Sequence, residues 1–162
     1  MKKIIYTPIG IIRTPFIEPE GTPIQASGAG GVNGKVEIFP EYSVGLQDLE
    51  DFSHIILIYH FHLAKASQLL AKPFLDDVEH GIFAIRGPTR PNPIGISTVR
   101  LDNIEDNVLS VIDVDIVDRT PLLDIKPYVP EFDHREVSKV GWLKKKIDKL
   151  PHSKDDGRFS RK

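Results

Sequence analysis

The chain has 162 residues, 40% of them hydrophobic and 27% charged, and a net charge of −2. These values fit one globular domain with a real core and give no global pull toward nucleic acid or membrane. The absence of cysteine excludes disulfides, zinc–thiolate sites and thiol nucleophiles.

The start, Met1-Lys2-Lys3-Ile4-Ile5-Tyr6, reaches Pro8 and Gly10 without an apolar helix. No signal peptide or membrane span is expected, and the cytoplasm is the expected compartment. Ile4 to Tyr6 and Ile9 to Arg13 read as short β segments on either side of Pro8. Residues 15–34 form a long Pro- and Gly-rich loop, a length that usually carries function. Its glycines, Gly28, Gly30 and Gly31, allow close backbone approach. They make no phosphate loop, because no Gly-Lys-Ser/Thr follows. Asn33-Gly34 reads as a turn into a strand over residues 35–39, and Pro40 as the opening of a short helical turn toward Leu49.

Residues 54–62 begin with a continuous apolar run, as in a strand buried on both faces, and end by alternating Tyr59 and Phe61 with His60 and His62. A further strand over 81–85 delivers the chain to Arg86-Gly-Pro-Thr-Arg90-Pro-Asn92-Pro-Ile-Gly95. Pro91 and Pro93 fix their own φ and bias Arg90 and Asn92 toward extended conformations, so this is a stiff loop that holds its cations in place. Residues 98–104 and 108–115 read as a hairpin around Glu105-Asp106-Asn107. Asp118 to Tyr128 contains a Thr-Pro turn and a short strand with Asp124 and Lys126 on one face. Val140, Leu143, Ile147 and Leu150 have helical spacing before Pro151. Many short strands without a βαβ rhythm predict an all-β fold, a barrel or a sandwich.

The segment from Trp142 to Lys162 carries eight Lys or Arg against three Asp, on a chain whose net charge is −2. Such a basic end either attracts a polyanion or forms a solvated terminus.

Several chemistries fail the sequence. His60 and His62 form an i, i+2 pair that could hold zinc, but no second histidine pair is close. Ser27, Ser53 and Ser97 lack a nucleophile-elbow frame, and no Rossmann fingerprint is present. There remains a site built from loops: residues 23–27, the strand end at His62, the arginine loop, and Asp118–Tyr128. Guanidinium groups, amides and carboxylates of this kind suit a small zwitterionic or nucleotide-like ligand.

The motifs Pro23-Ile-Gln-Ala26, Phe52-Ser-His54, Tyr59-His-Phe-His62, Gly81-Ile-Phe-Ala-Ile-Arg86, Arg90-Pro-Asn-Pro-Ile-Gly95 and Asp118-x-Thr-Pro-Leu-Leu-Asp-Ile-Lys-Pro-Tyr128 resemble the TsaA-like family, the TrmO-type tRNA N6-methyltransferases. The resemblance runs from about Ile4 to about Phe132. It implies a small antiparallel β-barrel with long functional loops, S-adenosylmethionine as methyl donor, and a homodimer with the cofactor near the subunit interface. The implied substrate is threonylcarbamoyl-adenosine beside the anticodon of tRNA, methylated on N6. The chain then divides into a barrel domain, 1–135, and a basic C-terminal helix and tail, 136–162.

Carried over by position, the implied cofactor contacts are Ile24, Gln25, Ala26, His62, Leu63, Arg86, Thr98, Asp118, Arg119, Thr120 and Pro121. On the tRNA side the expected contacts are Arg90, Asn92, Lys126 and Tyr128. Phe16 or Tyr128 could receive a splayed base. Asp118 and Asp124 are the candidate catalytic carboxylates, with a plain salt bridge to Lys126 as the structural alternative for Asp124. No metal is needed for in-line methyl transfer. The family often has Arg where this chain has Ile24, and usually Gly where it has Arg119. The alternative function is a non-catalytic S-adenosylmethionine- or RNA-binding barrel.

Overall fold

The computed structural model describes residues 2–160; Met1, Arg161 and Lys162, the last two belonging to the basic end, lie outside the described residues. Six strands close into an antiparallel barrel: β1 (Gly10–Arg13), β2 (Asn33–Ile38), β3 (His54–His60), β6 (Ile94–Glu105), β7 (Val108–Ile112) and β8 (Thr120–Pro127). Their order around the barrel is β1-β2-β7-β6-β3-β8, with β8 returning to β1. Closure pairs both edges of every strand, which removes the exposed edge that would template aggregation. A separate two-stranded ribbon joins β4 (Leu70–Ala71) to β5 (His80–Gly81).

The inner wall is made by alternation. Ile12, Val36, Ile38, Ile55, Leu57, Tyr59, Val99, Leu109, Val111 and Leu122 point inward and form one buried cluster with Val114 and Ile116. Burying such β-branched and long aliphatic chains contributes about 1.5–3 kcal/mol each. Strand β3 alternates throughout, contrary to the continuously buried run expected for it. A barrel has one inner face, so Ile56 and Ile58 must lie outside with Ile94 and Ile96 of β6, which register beside them.

Several local expectations change. Residues 4–6 form no strand and are largely exposed, because the pairing of β1 begins only at Gly10. Asn33-Gly34 lies within β2 rather than in a turn; a Cβ on Gly34 would sit 2.9 Å from Val114, so close packing explains this glycine. The 81–85 strand ends at Gly81 and continues as a 3₁₀ turn, Ile82–Ala84. Arg90 accounts for this curl: its Nη1 donates to the carbonyls of Ile82 (3.1 Å) and Ile85 (2.7 Å), drawing the chain around the guanidinium. The β6–β7 hairpin turns at Asp106, which takes φ 53.

In place of an amphipathic helix over 137–150 the chain forms two 3₁₀ segments, Gly141–Lys145 and Ile147–His152. Gly141 takes φ 60 and Pro151 lies inside the second segment, and both interrupt a continuous α-helix. The segment is tied to the body nonetheless. Trp142 Nε1 donates to the carbonyl of Ala84 (2.9 Å), and its ring stacks on His80. Lys146 and His80 both pair with Asp76, whose carboxyl they hold well below the usual range. Phe159 inserts into a second buried cluster with Ala71, Ile82 and Ile85.

Candidate active site

Three loops and the end of β3 meet at one mouth of the barrel. The long first loop is pinned at its base: Asp118 Oδ1 accepts the Thr14 amide (3.1 Å) and the Asp118 amide donates to Phe16 (2.7 Å). Farther along, the Gly31 amide donates to Asp113 (2.7 Å). Residues 154–155 cross this loop, with Asp155 and Thr22 bonded through their backbones and Pro23 paired with Lys154. Ser160 pairs with Ala64 just beyond His62. The C-terminal segment therefore forms a wall of the same cleft.

That cleft has a volume of about 270 Å³ and is walled by residues of every part: Ile24, His62, Arg86, Asp115, Thr120 and Ser160 among them. Two larger cavities adjoin it. One, of about 490 Å³, is mostly apolar and lies between the arginine loop and the C-terminal segment, sharing Ile24, Gln25, Phe74 and Arg86. The other, of about 500 Å³, runs along the outside of β6 and shares Gln25, Arg86, Ile96 and Asp115.

The polar groups of the mouth are ordered by hydrogen bonds. Arg86 Nη1 donates to Gln25 Oε1 (3.0 Å), joining the arginine loop to the first loop. Thr120 donates its hydroxyl proton to the Val117 carbonyl (2.7 Å), so its oxygen accepts from His62 Nδ1 (3.3 Å). This leaves Nε2 of a neutral His62 as an acceptor. Burial pushes the His62 imidazole below its ordinary value, with His60 adding to the effect, so the neutral form dominates at pH 7.

Ser97 donates to Asp115 Oδ1 (2.6 Å), and having used its proton it accepts from the Tyr59 hydroxyl (3.0 Å). The direction Tyr59 to Ser97 to Asp115 is thereby fixed while Asp115 is charged. Burial raises the Tyr59 phenol far above its usual value, which keeps it a donor. Burial also pushes the Asp115 carboxyl up to about 6, against the opposing effects of Ser97, the Ala26 amide and Arg86. Gly95 makes room for this arrangement: a Cβ there would lie 2.5 Å from Tyr59 Cζ and 2.9 Å from Phe61 Cζ.

Ile24, Gln25, His62, Leu63, Arg86 and Thr120 do converge on the cleft. Ala26 and Thr98 line the adjoining cavity along β6. Asp118, Arg119 and Pro121 do not line the cleft, although their neighbours Val117 and Thr120 do. Arg119 takes φ 62, a conformation that favours glycine, which agrees with the glycine that the family resemblance leads one to expect there. Asp124 is not at the mouth. It bonds the Ile125 amide and pairs with Lys126 Nζ at 2.8 Å on the outer face of β8. Tyr128 lies edge-on to His54 (6.4 Å), and Asn92 is exposed at the tip of its loop. Arg90 reaches the cleft but commits Nη1 to backbone carbonyls. Among the described residues no three His, Asp or Glu side chains converge as a metal site, and His60 and His62 stand without a third.

Sequence reasoning missed Asp115, Ser97, Tyr59 and the C-terminal wall. The alternation of residues 108–115 was visible, but it could not reveal that Asp115 follows the end of β7 (Val108–Ile112) and turns in toward the mouth.

The site fits S-adenosylmethionine by its own chemistry. The Arg86 guanidinium suits a carboxylate, and the joined clefts offer apolar walls for a nucleoside. Comparisons with known proteins point the same way. The family described as the tRNA-methyltransferase O N-terminal domain matches residues 11–134. A probable S-adenosyl-L-methionine-binding protein of Pyrococcus abyssi is 61% identical over 96% of this chain and 85% of its own length. The mouse tRNA (adenine(37)-N6)-methyltransferase is 35% identical over 80% of this chain, which spans 32% of that enzyme. The crystal structure of TrmO from Pseudomonas aeruginosa superposes with a TM-score of 0.74 at 37% identity, covering 86% of this chain and 62% of the bacterial one. No described helix is long and apolar enough to cross a membrane. The chain belongs to the TrmO family, through the tRNA-methyltransferase O N-terminal domain that makes up most of its length.

Proposed function

We propose that this protein transfers a methyl group from S-adenosylmethionine to N6 of an adenosine in tRNA, with threonylcarbamoyl-adenosine beside the anticodon as the acceptor. The observation that carries the reading is the convergence of Ile24, Gln25, His62, Leu63, Arg86 and Thr120 on one cleft, from four separated parts of the sequence. The reaction is an in-line displacement, so the protein's work is alignment and electrostatics. Bound S-adenosylmethionine supplies the activated methyl group. Arg86 and Gln25 hold one wall, His62 offers an acceptor, and Ile24 and Leu63 provide apolar surface.

Two further features of the reading concern assembly and RNA. The outer face of β3 and β6 exposes Ile94 and Ile96 beside the half-buried Ile56 and Ile58, a surface suited to a second copy of this chain. Thr98, Asp124 and Lys126 register beside these isoleucines, so pairing there would bring them into the interface. Lys144, Lys145, Lys149 and Lys154, exposed on the C-terminal segment, provide positive charge for the tRNA backbone.

Mass spectrometry of tRNA nucleosides from cells with and without the gene tests the assignment. Loss of N6-methylated threonylcarbamoyl-adenosine on deletion supports it. Retention of the mark refutes it and leaves a binding role.

A further inference from the structure

We propose that the carboxylate of Asp115 takes the proton from the adenosine N6 as the methyl group is transferred, with Ser97 and Tyr59 as its positioning residues. The inference rests on the methyltransferase reading. In the step, the S–CH₃ bond of the sulfonium breaks and its electron pair returns to sulfur, giving a neutral thioether. The N6–CH₃ bond forms, and the N6 proton passes to an Asp115 carboxylate oxygen and later to water. An N6 that also carries a carbamoyl group is a poor nucleophile, so a base placed at the nitrogen matters more than for a simple amine.

Geometry selects this carboxylate. Asp115 stands where two cavities meet, in the wall of the barrel-mouth cleft and in that of the cavity along β6; both also contain Gln25, Arg86 and Ile96. A reaction between two bound partners needs its proton acceptor at such a junction, where donor and acceptor can approach from different sides. One Asp115 oxygen is held by Ser97 at 2.6 Å, and Ser97 is in turn held by Tyr59 at 3.0 Å from inside the barrel. The other candidates line neither cavity: Asp118 binds the Thr14 amide and Asp124 pairs with Lys126 on the outer face of β8. Asp155 also faces the cleft, but it lines neither adjoining cavity, and one of its oxygens accepts from the Gly157 amide. Burial raises Asp115 to about 6, which makes it a competent base at neutral pH while still ionised there.

Other titratable and charged groups face the same space: Arg86 and Arg90 from the arginine loop, His62 beyond β3, His54 and Arg100 from β3 and β6, Asp113, and Asp155. Burial pushes Asp155 up to about 6 as well, and lowers His62 from its ordinary value. A pH limb must therefore be assigned by substitution.

The experiment measures single-turnover methyl transfer to tRNA by the full chain, with S-adenosylmethionine affinity measured in parallel, for the wild type, Asp115→Asn, Asp115→Glu and Ser97→Ala. Asp115→Asn should slow transfer by about 10²–10⁴-fold, while cofactor affinity changes by less than about tenfold. Asp115→Glu should recover part of the rate. The wild-type rate should fall as pH drops through about 6, and that limb should vanish in Asp115→Asn. In Ser97→Ala the limb should move to higher pH, because the Ser97 bond holds the carboxyl down. Transfer by Asp115→Asn within about tenfold of wild type overturns the proposal. So does loss of cofactor affinity in proportion to rate, or an unmoved limb in Ser97→Ala, which decides the matter even if Asp115→Asn fails to fold. A wild type that binds cofactor and transfers nothing refutes the methyltransferase reading itself, and this inference with it.

Discussion

Replacing Gly95 by alanine adds a single carbon where the barrel has no space. The new Cβ would lie 2.5 Å from Tyr59 Cζ and 2.9 Å from Phe61 Cζ, against ordinary carbon–carbon separations of about 3.5–4.0 Å. Tyr59 is almost fully buried and packs edge-on against Phe61 at 5.3 Å, so its ring cannot swing away into solvent. The strand must shift or the ring must leave its rotamer, and overpacking of this kind costs about 1–3 kcal/mol. A displaced ring also releases Ser97, and a lost hydrogen bond between buried groups costs about 1 kcal/mol more. Together these give about 2–4 kcal/mol, a fall in Tm of roughly 5–15 °C for a chain of this size. Calorimetry or a urea titration reads the shift, and an unchanged denaturant slope would show that the native state rather than the unfolded one is affected. In a background where Tyr59 is already replaced by leucine, Gly95→Ala should cost clearly less, since the nearer ring atoms it strikes are gone and only Phe61 Cζ remains. An alanine variant as stable as wild type would refute the packing argument and, with it, the role of this glycine in setting Ser97 and Asp115.

Other predictions follow from single features. Asp115 binds its proton more tightly in the folded chain (about 6) than at its ordinary value of 3.8, so its contribution favours folding most at low pH and declines as pH rises from about 4 to about 6. Asp115→Asn should flatten that part of the stability–pH curve and gain up to about 3 kcal/mol at pH 7; urea midpoints across pH 4–7 would show otherwise if the two curves stay parallel. Arg119→Gly relieves a side chain held at φ 62 and should raise stability by about 0.5–1 kcal/mol, with a lowered Tm as the contrary result. Phe159→Ala removes the anchor of the C-terminal wall, at a cost of about 3–5 kcal/mol to that cluster. Trp142 is the only tryptophan, so its fluorescence reports the segment directly and should shift to the red; unchanged emission would mean the wall is held without Phe159.

How much of this was legible in the residues depends on distance along the chain. The strands were visible because alternation is local: Val36 and Ile38 against Lys35 and Glu37, or Val99 against Thr98 and Arg100; their closure into a barrel was implied only by the family resemblance. The hairpin at Asp106 was visible for the same reason. The strand expected over 81–85 failed because its fate is decided by Arg90, several residues later, whose guanidinium gathers the carbonyls of Ile82 and Ile85. The C-terminal segment showed helical spacing, but Gly141, Pro151 and the pull of Trp142 and Phe159 onto the body set its shape. The residues named from motifs, including Gln25, His62 and Arg86, line the cleft. Asp115 was passed over because its environment is made by Ser97 and Tyr59, which lie far away in sequence and say nothing of a carboxylate by themselves. Asp124 drew attention through its motif, yet its spacing from Lys126 on one strand face also foretold the ion pair that occupies it.

Methyl transfer from S-adenosylmethionine to N6 of an adenosine in tRNA, proposed for this barrel mouth, can be measured on the purified chain. The most direct test incubates the purified chain with methyl-labelled S-adenosylmethionine and tRNA lacking the mark, then digests the tRNA and identifies the labelled nucleoside by mass spectrometry. Label on N6 of threonylcarbamoyl-adenosine, abolished when Arg86 and Gln25 are both replaced by alanine, is the predicted result. Absence of label from tRNA, with cofactor bound and the protein folded, would contradict the account.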